Sequence, residues 1–425
     1  MASYDDESLE RIPPTLLPGE KEHVLIVQDE TVFHTNEYRR RTWLMQDQQP
    51  IRKKGGGRAV HVSDFICETI GRIKISEEQI HEQLALPAEL RLAAFEARKI
   101  IHPGKGFDAW WDLKQLIEQV RNTVAIFKYT HPNCVGVFVF DRSSAHEGFA
   151  EDALNVNAMN LNPGGKQKKM RNTVIPLNNP DPAPGDEDTR GTVQQMCFPE
   201  DHEDPQLRGQ PKGIKAVLTE RKSVWDKYNE ICKARRTRVV KKCTQCTKSQ
   251  VLKDAERRVA KVEEMEQQGD TIPMGETPVL EADSETQSAA VDEWCCMYRV
   301  LALQEDFLTE KPMIQSVIEE ARHICLFLPR FHCELNAIEM LWGYAKYRAL
   351  ISCISCAACQ GLSIIFNASG YRSSADGRFA TAKRLVPECL DSCPLITIRR
   401  FFQKAWRYMD AYRYAHNHPT YASLR

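Results

Sequence analysis

VGVFVFDRSSAH, residues 135–146, is the stretch on which the reading of the fold turns. Five of its first six residues are β-branched or aromatic, the composition of a strand buried on both faces rather than one alternating between core and water. The run ends in Asp141 and a polar turn. A carboxylate at the end of a buried strand is held by rigid backbone, as a metal ligand requires. Taken alone, Asp141 is equally readable as a strand-terminating residue that caps the next turn.

Working outward toward the N-terminus, HVLIVQDETVF at 23–33 repeats the pattern: an apolar run over Val24 to Val27, then the pair Asp29 and Glu30. Residues 42–45 and 58–66 (RAVHVSDFI) read as further strands. Between them lies KKGGGR at 53–58, whose glycines and cations suit either a hairpin loop or a close approach to phosphate. Residues 76–98 turn helical in composition. Residues 107–127 carry Trp110, Leu113, Ile117, Val120 and Val124 on one helical face, with Asp108 as N-cap and the tryptophans read as core packing. Residues 1–22, with acids and Pro13, Pro14 and Pro18, read as a lead-in, disordered or ordered only on contact.

Toward the C-terminus, residues 178–188 read as a loop, and 208–242 form a basic exception with twelve Lys or Arg against three acids. Within it, Lys233, Arg235, Arg236, Arg238, Lys241 and Lys242 are candidates for contact with DNA phosphates, against the plainer reading of a solvated helical face. Residues 248–266 continue as a charged helix and 267–291 read as a linker. Residues 294–307 and 313–322 look helical, 323–328 (HICLFL) is a last strand, and 331–347 is a turn followed by a helix carrying Glu339. Residues 395–414 form a closing amphipathic helix. The segment 349–370 is uncharged and rich in small residues, unlike its surroundings, and has the look of an insertion.

The chain has 425 residues, enough for about two or three domains. Its 42% hydrophobic and 27% charged content is that of an ordinary globular protein, and its apolar runs are too short for a membrane span. The polar, acidic opening does not read as a secretion signal, so the 15 cysteines are expected as thiols or metal ligands rather than disulfides. With a net charge of −1, any nucleic-acid surface must be a local patch. Cys243-x-x-Cys246 offers two thiolates at knuckle spacing, and Cys295 with Cys296 would complete a four-sulfur structural zinc site; adjacent cysteines are poorer joint ligands, and reduced thiols are the alternative.

Asp29, Asp141 and Glu339 thus fall at element ends, as phosphodiester chemistry with two hard cations requires. VQDET at 27–31, FDRSSAH at 140–146 and FHCELNAIEMLW at 331–342 together resemble the catalytic core of mariner-type DDE transposases, in particular the fungal DDE superfamily endonuclease branch. The resemblance spans roughly residues 23–414 and is most specific in the turn followed by L-N-x-I-E-x-x-W. It implies an α/β, RNase H-like fold, a mixed sheet flanked by helices, with a large, mostly helical insertion before the last catalytic helix. It implies that Asp29, Asp141 and Glu339 are catalytic and bind two Mg²⁺ or Mn²⁺ ions, and that His146 supports the DNA or metal site or is structural.

The expected organisation is a lead-in at 1–22, catalytic core at 23–160 and 307–425, and an inserted basic, cysteine-containing region at 161–306. Ala337 stands where the family commonly has Pro, and Asp141 and Glu339 are much further apart than the family's usual few tens of residues. The helix-turn-helix region that usually precedes such a core is not seen, so a truncated, transposon-derived copy is expected. The expected partners are double-stranded DNA, as transposon ends and target, and a second copy of the chain as a homodimer, with no membrane; the expected location is the nucleus, with 233–238 and 241–242 able to serve as import signal. The rival expectations are a catalytically inactive DNA-binding remnant using a zinc-stabilised basic insert, and an RNase H-like nuclease that cleaves without joining strands.

Overall fold

The computed structural model describes residues 1–5, 7–37, 54–143, 145–247, 292–329, 331–347 and 371–417. The strand read at 42–45, the charged helix at 248–266, the linker at 267–291 and the uncharged segment at 349–370 lie outside the described residues. The chain divides into two compact units, residues 1–148 with 313–425, and residues 149–312.

In chain order the first unit opens with a ribbon of β1 (Ser3–Tyr4) and β2 (Arg11–Ile12). It continues through β3 (His23–His34), β4 (Ala59–Cys67), β5 (Gly71–Arg72), α1 (Glu77–Ala85), β6 (Lys99–Ile101), α2 (Leu113–Thr130) and β7 (Val135–Phe140). The second unit holds β8 (Thr173–Val174), β9 (Val193–Gln194), α3 (Ile214–Glu220), α4 (Lys222–Ala234), α5 (Met297–Ala302) and α6 (Glu305–Leu308). The first unit then resumes with α7 (Met313–Glu320), β10 (Ile324–Phe327), α8 (Ala337–Tyr347), α9 (Tyr371–Ser374), α10 (Phe379–Asp391) and α11 (Leu395–Asn417).

The first unit is built on a mixed sheet of order β10-β7-β3-β4-β5, with β6 also paired to β4. β10, β7 and β3 run parallel, whereas β4 is antiparallel to β3, β5 and β6. The valine- and phenylalanine-rich runs of β3 and β7 occupy its middle because helices cover both faces there. On one face Leu25, Val27, Val137 and Val139 pack with Ile338, Leu341 and Trp342 of α8, Val386 of α10 and Phe402 of α11. On the other, Val24, Ile26, Phe138 and Phe140 pack with Leu116, Val120 and Phe127 of α2 and Ile314 and Ile318 of α7. None of the helices among the described residues is long and apolar enough to cross a membrane.

Several elements depart from the sequence reading. The helix expected over 76–98 stops at Ala85, because Leu86 precedes Pro87 and a residue before proline is steered out of the helical region. The helix expected from 107 starts at Leu113. Asp112 caps it, accepting from the Gln115 N–H at 2.9 Å, while Asp108 instead accepts from the His102 N–H at 2.7 Å. Trp110 therefore lies outside the helix and is 69% exposed rather than packed in a core. Helix α10, absent from the reading, contains Pro387, whose cost of roughly 3 kcal/mol is set against the burial of Ala382, Val386 and Leu390. Residues 1–22 carry the β1–β2 ribbon, tied down where Arg399 donates to the Leu9 carbonyl at 3.1 Å.

The second unit is not mostly helical among its described residues: residues 149–213 hold only one turn of 3-10 helix and two two-residue strands. Its core joins Leu154, Val156 and Met159 to Val217, Tyr228, Val300 and Phe307, so it takes in residues on both sides of the 161–306 boundaries. At its centre Arg221, fully buried, makes a two-pronged pair with Asp306 at 2.9 and 2.6 Å and donates to Gln194 at 2.9 Å.

Candidate active site

The alternation of side chains along β3 and β7 assembles the acids. Leu25 and Val27 point to the α8 face, and the next residue in that row is Asp29; Val137 and Val139 point the same way, and the next is Asp141. The parallel pairing ends with Val27 against Val139, so Asp29 and Asp141 follow at the point where β7 ends. β3 does not end there. It runs on to His34 in antiparallel pairing with β4, which places Asp29 inside a strand rather than after one.

Glu339 comes from the first turn of α8 and Trp342 from the next turn on the same face. The Trp342 indole Nε1–H donates to Asp29 Oδ2 at 3.0 Å, and Asn336, just before the helix, donates from Nδ2 to the Gln28 carbonyl at 3.0 Å. The turn-and-helix motif is thereby pinned to β3 on both sides of the acid it serves. Leu335 and Ile338 supply its buried anchors. Asp29 is buried, whereas Asp141 is half exposed and Glu339 exposed, so the acidic group opens to solvent on one side. Burial, and then the negative charges of Glu339, Asp141 and Glu30, hold the Asp29 carboxyl well above the usual carboxylate range. A buried carboxylate facing three others is electrostatically unfavourable as it stands. Carboxylate oxygens are the donors a hard divalent cation takes, and such a cation would relieve that repulsion.

A second ionic group lies behind the first. His146 is fully buried, with Nδ1 against the Asp141 carboxylate and Nε2 3.4 Å from Glu30 Oε1. Glu30 Oε1 also accepts from Gln28 Nε2 at 2.9 Å and from the Trp111 indole at 3.1 Å. Burial works against both charges, yet Glu30 and Asp141 hold the His146 pKa well above its usual value, and His146 brings Glu30 down to about 2. The imidazolium so formed bridges the two faces of the sheet end and fixes Asp141 from behind. Trp111, Gln28, Asn336 and Trp342 were not singled out as site residues in the sequence. Trp111 read as core packing there and Trp342 as part of the motif; a buried indole N–H needs a partner, but its sequence position does not say which.

The other candidates distribute differently. In the second unit Cys243, Cys246, Cys295 and Cys296 bring their sulfurs within 4.8 Å of one another and can hold a metal ion. Of the six basic candidates, Lys233, Arg235, Arg236 and Arg238 are exposed, Arg235 while pairing with Asp292; Lys241 donates to the Met159 carbonyl at 2.9 Å, and Lys242 sits 4.4 Å over the Tyr298 ring. Half of that patch is thus engaged inside its own unit. In the glycine loop, Arg58 stacks between Phe107 and Phe379 at 3.8 and 3.7 Å, which favours a structural loop over a phosphate cradle.

No protein-family model matches the chain, and no curated protein does either. Among solved structures, the chain is similar to one described as the crystal structure of the mariner Mos1 paired end complex with Mg, at 12% identity and a TM-score of 0.20. The similarity covers 29% of this chain and 30% of that one.

Proposed function

We propose that the first unit is an RNase H-like catalytic core of the DDE transposase type, which cleaves DNA phosphodiesters and transfers the resulting strand. The observation that carries this reading is the convergence of a buried Asp29, positioned by Trp342, with Asp141 and Glu339 around one open edge of a mixed sheet. The motif resemblance at the same three acids supports it, and the sheet order is compatible with that fold. Asp29, Asp141 and Glu339 would hold Mg²⁺ or Mn²⁺, which supplies activation of the attacking oxygen and stabilisation of the leaving one.

The chain's own residues do the positioning. Trp342 and Asn336 fix Asp29 and the start of α8, and the His146–Glu30 pair fixes Asp141. Water attacks a phosphodiester laid along the open side, freeing a DNA 3′-hydroxyl and leaving a 5′-phosphate, and that hydroxyl then attacks a second phosphodiester, displacing its 3′-oxygen, to join the strands. The partner is double-stranded DNA, the working form a homodimer and the location the nucleus, with Lys233, Arg236 and Arg238 as the exposed phosphate contacts.

The test is cleavage of end-labelled duplex DNA by the full chain with Mg²⁺ or Mn²⁺, beside Asp29→Asn, Asp141→Ala and Glu339→Gln. Metal-dependent nicking that all three substitutions abolish is expected. Nicked but never joined products would favour a plain nuclease. No cleavage by folded wild-type protein that nonetheless binds DNA would favour the inactive remnant.

A further inference from the structure

We propose that Cys243, Cys246, Cys295 and Cys296 form a tetrahedral structural Zn²⁺ site that clasps the second unit together. The argument starts from distances. Cys295 Sγ lies 3.6 Å from both Cys243 Sγ and Cys246 Sγ, and Cys296 Sγ lies 3.7 Å from Cys295 Sγ and from Cys246 Sγ. A disulfide brings its sulfurs to about 2.05 Å, far closer than any of these, and all four cysteines are free. Four sulfurs about 2.3 Å from a central zinc stand about 3.8 Å apart along each tetrahedral edge. The observed spacings fall just short of that value, so the ion enters with a small outward adjustment of side chains.

The surroundings are those of bound thiolates. The Cys246 backbone N–H points at Cys243 Sγ at 3.4 Å, the N–H to sulfur contact of a knuckle. The Arg299 guanidinium lies close enough to Cys246 and Cys295 to act on their charge. Such donors offset the net negative charge that four thiolates leave on zinc, and they orient the ligands. Adjacent Cys295 and Cys296 both bring a sulfur to the group, with Cys296 extended at φ −166 and ψ 159 immediately before α5 begins.

The site lies where the unit most needs a tie. The two ligand pairs come from either side of residues 248–291, one following α4 and the other leading into α5. Backbone contacts run beside it, Met297 N–H to the Val240 carbonyl at 3.1 Å and Tyr298 N–H to the Lys241 carbonyl at 2.9 Å. Cys296 and Met297 are buried next to the apolar core that includes Tyr228, Val300 and Leu301. With so few regular elements in residues 149–213, a metal bond set contributes folding energy that short strands cannot. A redox-inert ion suits that purpose, although a four-sulfur set accepts iron as well.

The experiment uses the full chain purified without chelators, with metals counted by mass spectrometry and zinc release followed during titration with a mercurial. The expected result is one zinc per chain, released as the four thiols are capped. Cys389→Ser, outside the cluster, and Asp29→Asn should keep it, which separates this site from the acidic one. Cys246→Ser should lose at least nine-tenths of it. Should the serine variant fail to fold, the wild-type zinc count and thiol titration still decide. Folded wild-type protein with no zinc and all four cysteines immediately reactive, or with iron in its place, overturns the proposal.

Discussion

Replacing Trp342 by phenylalanine isolates the bond that positions the buried acid. Trp342 is 3% exposed and Asp29 8%, and the indole N–H reaches Asp29 Oδ2 at 3.0 Å. Phenylalanine keeps most of the packing against Val27, Val139 and the helices above them. It removes one hydrogen bond to a carboxylate, worth about 1.5–3 kcal/mol. The smaller ring also leaves a cavity of roughly 40 Å³, costing about 1 kcal/mol at ~24 cal/mol per Å³. A loss of about 2.5–4 kcal/mol in folding stability is therefore expected, measurable by urea denaturation. The effect on catalysis is distinct, since a loosened Asp29 should weaken metal binding rather than chemistry at saturation. The Mg²⁺ concentration needed for half-maximal DNA cleavage should rise about 10–100-fold, the usual effect of losing a group that orients a metal ligand, with much of the rate recovered at high Mg²⁺. A folded Trp342→Phe protein with wild-type Mg²⁺ dependence would refute the positioning role.

In the second unit, Asp306→Asn should cost about 3–5 kcal/mol, because it strips the counter-charge from a buried guanidinium at Arg221; calorimetry that finds the unit unchanged would contradict this. His323 gives a pH signature. Burial, with Lys128 and Lys21 adding to it, lowers its pKa from 6.5 to about 4, and its Nδ1 accepts from the Gly136 N–H at 3.1 Å. The unfolded chain then binds the proton more readily, so stability is full above pH 6.5 and falls as pH drops toward about 4. His323→Asn, which retains an acceptor, should flatten the slope of unfolding free energy in that window, and an unchanged slope would place the titration elsewhere.

The central strands were legible because β-branched and aromatic runs leave few alternatives, and the turn and helix of the last motif are held on β3 by Asn336 and Trp342. What stayed hidden has a physical cause in each case. β3 carries Gln28, Asp29 and Glu30 in its middle, which interrupts an apolar run and looks like a strand end, yet Gln28 donates to Ser63 and Glu30 is held by His146 and Trp111. Those partners come from other elements, and local pattern does not reveal them. The basic patch was visible as composition, but which cations are engaged within their own unit depended on Asp292, Met159 and Tyr298. The cysteines were visible as spacing, whereas their convergence depended on the backbone pairing of Met297 with Val240 and of Tyr298 with Lys241.

The distance along the chain between Asp141 and Glu339 raises the question of how the acids meet at all. The sheet resolves it through its connection. β10 pairs in parallel with β7, and residues 149–312 depart after Gly148 and return at Met313, where the Met313 N–H donates to the Gly148 carbonyl at 2.9 Å. The ends of the first unit's break are therefore touching. The entropic cost of joining such ends grows only by about 0.6 kcal/mol for each doubling of the loop, so a very long insert is nearly as tolerable there as a short one. β10 and α8 reach the acids from a fixed starting point, whatever lies between. It follows that residues 149–312 can be replaced by a linker of a few Gly and Ser residues. The shortened chain should fold with the His323-dependent pH slope intact and should retain Mg²⁺-dependent nicking, while losing any zinc. A shortened chain that is soluble but unfolded by circular dichroism would show that the second unit holds the first together, and the touching ends would then be a consequence of its presence rather than the reason it is tolerated.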